Sequence, residues 1–138
     1  MTQTALASAT DLHRLLDDLV ERVPTADLSV LLSPDGLPLA TSQAVTTESG
    51  DFVAAAAAAL HALAVAAGRQ LHGGTALRTI VEMEHMLLAV EPAGGGALLA
   101  VTCSAATDPE AVSGPIADTA DRAARALAGT GLTPGGIR

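Results

Sequence analysis

The chain is 138 residues long, 49% apolar, and carries a formal net charge of −8 at pH 7. That length suits one domain, 1–138 with an ordered core over about 9–130, able to bury roughly two-thirds of its unfolded surface. The acidic balance argues against nucleic acid and against anionic membrane surfaces.

Single residue types exclude more. There is no lysine, which removes the phosphate-binding P-loop, Schiff-base chemistry and every Ser–Lys nucleophile. Phe52 is the only aromatic residue, so the core must be aliphatic and no base-stacking platform exists. Cys103 is the only cysteine, so no internal disulfide forms, and a cytoplasmic protein is expected. The N-terminus has no basic region followed by an apolar run, so no signal peptide is expected.

Residues 1–7 read as a small polar tail. Ser8-Ala9-Thr10-Asp11 looks like a helix start, and Leu12, Leu15, Leu16, Leu19, Val20 and Val23 follow one helical stripe up to Pro24. Asp17 and Glu21 share a face of this helix as solvated surface rather than as an acid–base dyad. Residues 28–33 read as a strand. Ser33-Pro34-Asp35-Gly36 matches the position preferences of a type I turn, and 37–42 is the return strand, placed at a sheet edge by Pro38. Residues 43–50 are a polar loop.

A helix over 51–72 follows, rich in alanine, capped by Ser49 or Asp51 and stopped by Gly73-Gly74. No charged residue lies between Asp51 and Arg69. An ordinary surface helix has a charged face; this one has two seams instead. Val53, Ala56, Leu60, Leu63 and Ala67 look like a core face. Ala54, Ala58, His61, Val65 and Gly68 form a small-residue seam that invites a second subunit. The segment is too short and too weakly apolar for a membrane span, so no membrane insertion is expected.

After Gly74 the period becomes extended. Residues 77–83 and 86–91 alternate around the turn at Glu84-His85, Pro92-Ala93-Gly94-Gly95-Gly96 is a hairpin loop, and 97–103 is a central strand apolar on both faces. The glycine triplet joins two strands, so it is not a phosphate cradle. Asp108-Pro109 starts a last helix with the stripe Val112, Ile116, Ala120, Ala123 and Leu127; Gly114-Pro115 should kink it or delay its start, and Gly129 should stop it. Residues 131–138 read as a Pro/Gly tail. The fold class is α+β: a five-stranded antiparallel sheet sandwiched by helices, in the order α-β-β-α-β-β-β-α.

No catalytic or metal site emerges. His13, His61, His72 and His85 are scattered without metal-ligand spacing, Cys103 reads as a small core residue, and no cofactor is implied.

The ordered strings Leu15-Leu16-Asp17-Asp18-Leu19-Val20-Glu21-Arg22-Val23-Pro24, Leu31-Leu32-Ser33-Pro34-Asp35-Gly36-Leu37-Pro38-Leu39-Ala40, Gly73-Gly74, Thr79-Ile80-Val81-Glu82-Met83, Gly96-Ala97-Leu98-Leu99-Ala100-Val101 and Leu132-Thr133-Pro134 together resemble the roadblock/dynein light-chain family. The likeness is to its bacterial members associated with small Ras-like GTPases, over about 12–134. His85-Met86 stands where those members have a Gly-aromatic pair. The resemblance implies a roadblock/profilin-like fold and a homodimer in which the middle helix and the strand after it pair with their twins. It also implies a non-enzymatic regulator or adaptor of a small Ras-like GTPase. Combined with the uncharged helix, it gives an expected dimer interface of Ala54, Ala58, His61, Ala62, Val65, Leu77, Thr79 and Val81, and expected GTPase contacts at His61, Arg69 and His72. An arginine finger from Arg69 or Arg78 is less favoured than ordinary surface arginine. The competing reading is a module that senses a small ligand or serves as a scaffold without a GTPase. Which GTPase is involved, whether hydrolysis or exchange responds, and whether a histidine-kinase-like sensor joins are left open.

Overall fold

The computed structural model describes residues 2–130, with side chains over 10–129. The elements are α1 (Thr2–Arg22), β1 (Ala26–Leu32), β2 (Pro38–Thr41), α2 (Thr47–Gln70), β3 (Thr79–Glu82), β4 (Met86–Pro92), β5 (Leu98–Ser104) and α3 (Pro109–Thr130). This is the expected order. The strands form one antiparallel sheet in the order β2-β1-β5-β4-β3. Pro38 sits on an edge strand and β5 is central, where its two apolar faces are both covered.

Several boundaries move. α1 begins at Thr2, so the Ser8–Asp11 start lies within the helix; Ala5, Leu6, Ala7 and Ala9 are strong helix formers that carry it upstream. α2 begins four residues before the expected Asp51: the Thr46 hydroxyl caps it by accepting from Ser49 N–H at 3.1 Å. β3 is shorter than 77–83 at both ends. α3 starts at Pro109 without delay and runs through Pro115 to Thr130; the Asp108 carboxylate accepts from Glu110 N–H at 3.0 Å. The tail over 131–138, including Leu132-Thr133-Pro134, lies outside the described residues.

The sheet separates two apolar layers. On one side Leu12, Leu16, Leu19 and Val23 of α1 and Val112, Ile116, Ala120, Ala123 and Leu127 of α3 pack on Leu31, Leu87, Ala89, Leu99 and Val101. These two stripes are the ones the helical spacing marks. On the other side α2 lies alone over Val30, Leu32, Leu88, Val90, Leu98 and Ala100. The turns behave as their residues dictate. Gly36 N–H donates to Ser33 C=O at 2.9 Å, and Ala93 and Ala97 close the glycine loop as a hairpin, N–H to C=O at 2.9 Å.

Candidate functional site: the open flank of α2

Three helices cannot cover both faces of a five-stranded sheet equally, and α2 has its face to itself. It sits over β1, β5 and β2, leaving β3 and the Met86 end of β4 partly bare. What seats it there is residue size. Gly50, Ala54 and Ala57 are its buried positions, and Ala54 and Ala57 have no accessible surface. The helix comes so close that a Cβ on Gly36 would touch Ala55 Cα and Ala58 Cβ, each at 3.4 Å.

The two seams read from the sequence therefore exchange roles in part. Ala54, assigned to the dimer interface, is sealed against its own sheet, and half-buried Ala58 packs on the same core cluster. Small side chains permit close approach to a sheet as well as to a second helix, and the sheet of the same chain takes them. The seam expected to face the core is turned outward along much of its length. Val53 and Leu60 are only partly buried, Ala67 is exposed, and Leu63 is 68% exposed.

Beside that seam runs a groove of about 690 Å³ between α2 and the sheet. It is lined by Leu28, Phe52, Val53, Ala56, Leu60, Val81, Met83, Met86 and Leu88, with polar atoms from Glu48, Ser49 and Thr102. Phe52, the one aromatic ring of the chain, is 74% exposed on its rim. Leu77, ahead of β3, is 78% exposed. Among the expected interface residues Ala62 and Leu77 are exposed, and Thr79 and Val81 are half-buried on β3. The Thr79 hydroxyl oxygen is buried without a hydrogen-bond partner. Phe52, Met83 and Met86 were missed by sequence reasoning. The signal for Phe52 was there to be read, since it is the only large ring on a helix of alanines.

The expected GTPase contacts divide. Half-buried His61 and exposed Arg69 border one recess of about 460 Å³, shared with Val65, Gly68, Gly74, Thr75, Ala76 and Pro92. His72 stands apart at the helix end. Its φ of +56° makes it the left-handed residue there, a role expected of the Gly pair, and Gly73 N–H closes the motif on Gly68 C=O at 2.7 Å. Arg78 is engaged by Glu91, Nε to Oε2 at 2.9 Å. Asp17 accepts from the Gln43 amide rather than pairing with Glu21. Cys103 is buried; burial pushes its thiol pKa up, the Asp27 charge adds to this, and a hydrogen bond with Thr107 opposes it. Among the described residues no three His, Cys, Asp or Glu side chains are grouped to hold a metal ion. By length and composition α2 could cross a membrane, but its Ala54 and Ala57 are committed to the sheet.

An antiparallel sheet with two helices on one face, one on the other, and an apolar groove beside an edge strand defines an α+β domain. The Roadblock/LC7 domain model matches residues 12–102, and the chain belongs to that family. Among solved structures it is similar to the Roadblock/LC7 domain from Streptomyces avermitilis, with 32% identity, TM-score 0.79, and coverage of 84% of this chain and 97% of that one. It shares its fold with the gliding protein MglB from Thermus thermophilus, at 21% identity, TM-score 0.76, covering 87% of this chain and 90% of that one. The same holds for MglB of Myxococcus xanthus, at 15% identity, TM-score 0.79, covering 88% and 91%. No curated protein sequence matches the chain.

Proposed function

We propose that this protein is a non-enzymatic, cytoplasmic homodimer that regulates or tethers a small Ras-like GTPase. The observation that carries the dimer is the groove: an uncharged helix flank, an exposed Phe52 and an exposed Leu77 lie next to the free edge of β3. An exposed apolar groove of this kind marks an interaction site. A second copy would lay its own α2 flank into the groove and its β3 against β3. The interface then comprises Phe52, Val53, Ala56, Leu60, Leu63, Leu77, Thr79 and Val81 in place of the Ala54–Ala58 seam.

The GTPase reading rests on family membership and on what the chain lacks. With no lysine in the chain, and no glycine loop leading from a strand into a helix among the described residues, it lacks the parts of a phosphate cradle there. Regulation would be delivered by contact with a partner's switch loops, and the partner would supply Mg²⁺. His61 and Arg69, with the Thr75 hydroxyl on the same recess, can donate hydrogen bonds there. Calorimetry should show no GTP binding to the purified protein. A Ras-like GTPase copurified from the native host should bind it in a nucleotide-dependent way, and Arg69→Glu should weaken that binding with dimerisation intact. GTP binding to the protein alone would overturn the adaptor reading, and equal affinity of the variant would overturn the assigned surface.

A second reading is favoured by the groove's size. About 690 Å³ of mostly apolar lining falls in the range of small-molecule sites. An apolar ligand held there would compete with the second copy. Native mass spectrometry of protein from the host separates the two, showing either an added small mass on a monomer or a bare dimer.

A further inference from the structure

The sheet has two edges, and they are not alike. At β3, Met83 N–H donates to Met86 C=O at 2.7 Å. Hydrogen-bonded and non-hydrogen-bonded pairs alternate along an antiparallel ladder, so Val81 and Thr79 also bond to β4 and the backbone groups of Ile80 and Glu82 turn to the open side. Just past β2, Ser42 N–H donates to Ser29 C=O at 3.0 Å, which by the same alternation turns the backbone groups of Thr41 outward, and Gln43 follows in the turn that leaves the strand.

The Thr41 carbonyl and the Gln43 amide are already taken. His13 Nδ1 lies 3.0 Å from Thr41 C=O, and Gln43 N–H donates to Asp17 Oδ1 at 2.6 Å. His13 and Asp17 are one turn apart on α1 and share a face. Ser29 Oγ donates to Leu16 C=O at 3.0 Å and ties the same turn of α1 to β1. Further along β2, Pro38 has no N–H to offer, and a bulge breaks the register between Leu31 and Leu32. Proteins protect exposed strand edges with such devices because an unprotected edge templates pairing with another chain.

We propose that His13 and Asp17 act as a clamp that closes the β2 edge, so that another copy of this chain can extend the sheet only at β3 and assembly stops at two. The limit of two rests on the dimer proposed above; the clamp itself does not. Closure comes from side chains of α1 occupying the Thr41 acceptor at the end of β2 and the Gln43 donor just beyond it. The other end of the sheet carries no such contacts among the described residues.

The test compares wild type with His13→Ala/Asp17→Ala/Pro38→Thr, which frees the acceptor and the donor and restores the missing N–H. Light scattering over a concentration series, with concentration from refractive index, reads the mass. Far-UV circular dichroism confirms the fold. Wild type should plateau, and the variant should climb past the wild-type plateau by a further factor of two or more as concentration rises. His13→Asn/Asp17→Asn keeps an N–H donor and an oxygen acceptor and should restore the plateau. A folded triple variant with the wild-type plateau overturns the clamp. A monomeric wild type with an associating triple variant supports the clamp and sinks the β3 dimer. If the triple variant does not fold, Asp17→Ala alone decides by hydrogen exchange: the Gln43 amide should exchange about tenfold faster or more, and an unchanged rate overturns the clamp.

Discussion

Gly68 and Gly74 meet so closely that a Cβ on Gly68 would sit 2.4 Å from the Gly74 carbonyl oxygen. The end of α2 and the chain that returns toward β3 are pressed together at this point. Backbone on both sides leaves nothing flexible to give way. Gly68→Ala should therefore destabilise the fold by about 1–3 kcal/mol, even though alanine favours a helix interior by about 1 kcal/mol. Thermal unfolding followed at 222 nm should show a Tm several degrees lower. An unchanged or raised Tm would mean that the return segment shifts freely.

Much of this architecture was legible in the sequence. The stripes Leu12–Val23 and Val112–Leu127 face one sheet, alternation sets the strands, and Pro38 marks an edge. What could not be read was which seam of α2 its own sheet would take. Ala54, Ala58 and Gly68 are small enough for close approach to either a sheet or a second helix, and periodicity does not distinguish the two. The sheet extends past α2 at β3, and only the three-dimensional placement shows that Val53 and Leu60 border that bare region. The α1 contacts that close β2 were also hidden, because His13 and Asp17 look like ordinary exposed positions on an amphipathic helix.

The thiol of Cys103 should dominate the alkaline limit of stability. Its pKa is raised above the ordinary 9.0 in the folded state, chiefly by burial. The folded chain then holds its proton more tightly than the unfolded chain. Stability is fully present below the unfolded thiol pKa and is lost as pH climbs through the folded one. The chain contains no lysine or tyrosine, so few other groups titrate in that window. Urea unfolding between pH 8 and 11 should show stability falling above pH 9, by at most about 1.4 kcal/mol per pH unit for one proton. Cys103→Ala should flatten the slope. The same slope in the variant would place the titration elsewhere.

Removing Arg78 should cost more than its exposure suggests. Glu91 is 7% accessible and its carboxylate meets the guanidinium at 2.9 Å, so Arg78→Ala leaves a nearly buried charge unpaired. The expected loss is roughly 1–3 kcal/mol, discounted for the half-exposed arginine. The exposed pair Glu84–His85, 3.8 Å apart, serves as the control, and Glu84→Ala should change little. Adding Glu91→Gln to Arg78→Ala should recover part of the loss. No recovery would show that Arg78 acts through packing of its stem.

The central claim is that the bare flank of α2 and the edge of β3 receive a second copy. Light scattering with refractive-index detection suits a chain without Trp or Tyr. Wild type at micromolar concentration should weigh twice the 13.7 kDa of one chain. Phe52→Glu alters a ring that is 74% exposed in the single chain, so the fold should survive while the mass falls to that of a monomer. A wild type that is monomeric throughout this range, or a Phe52→Glu variant that remains a dimer, would contradict the account.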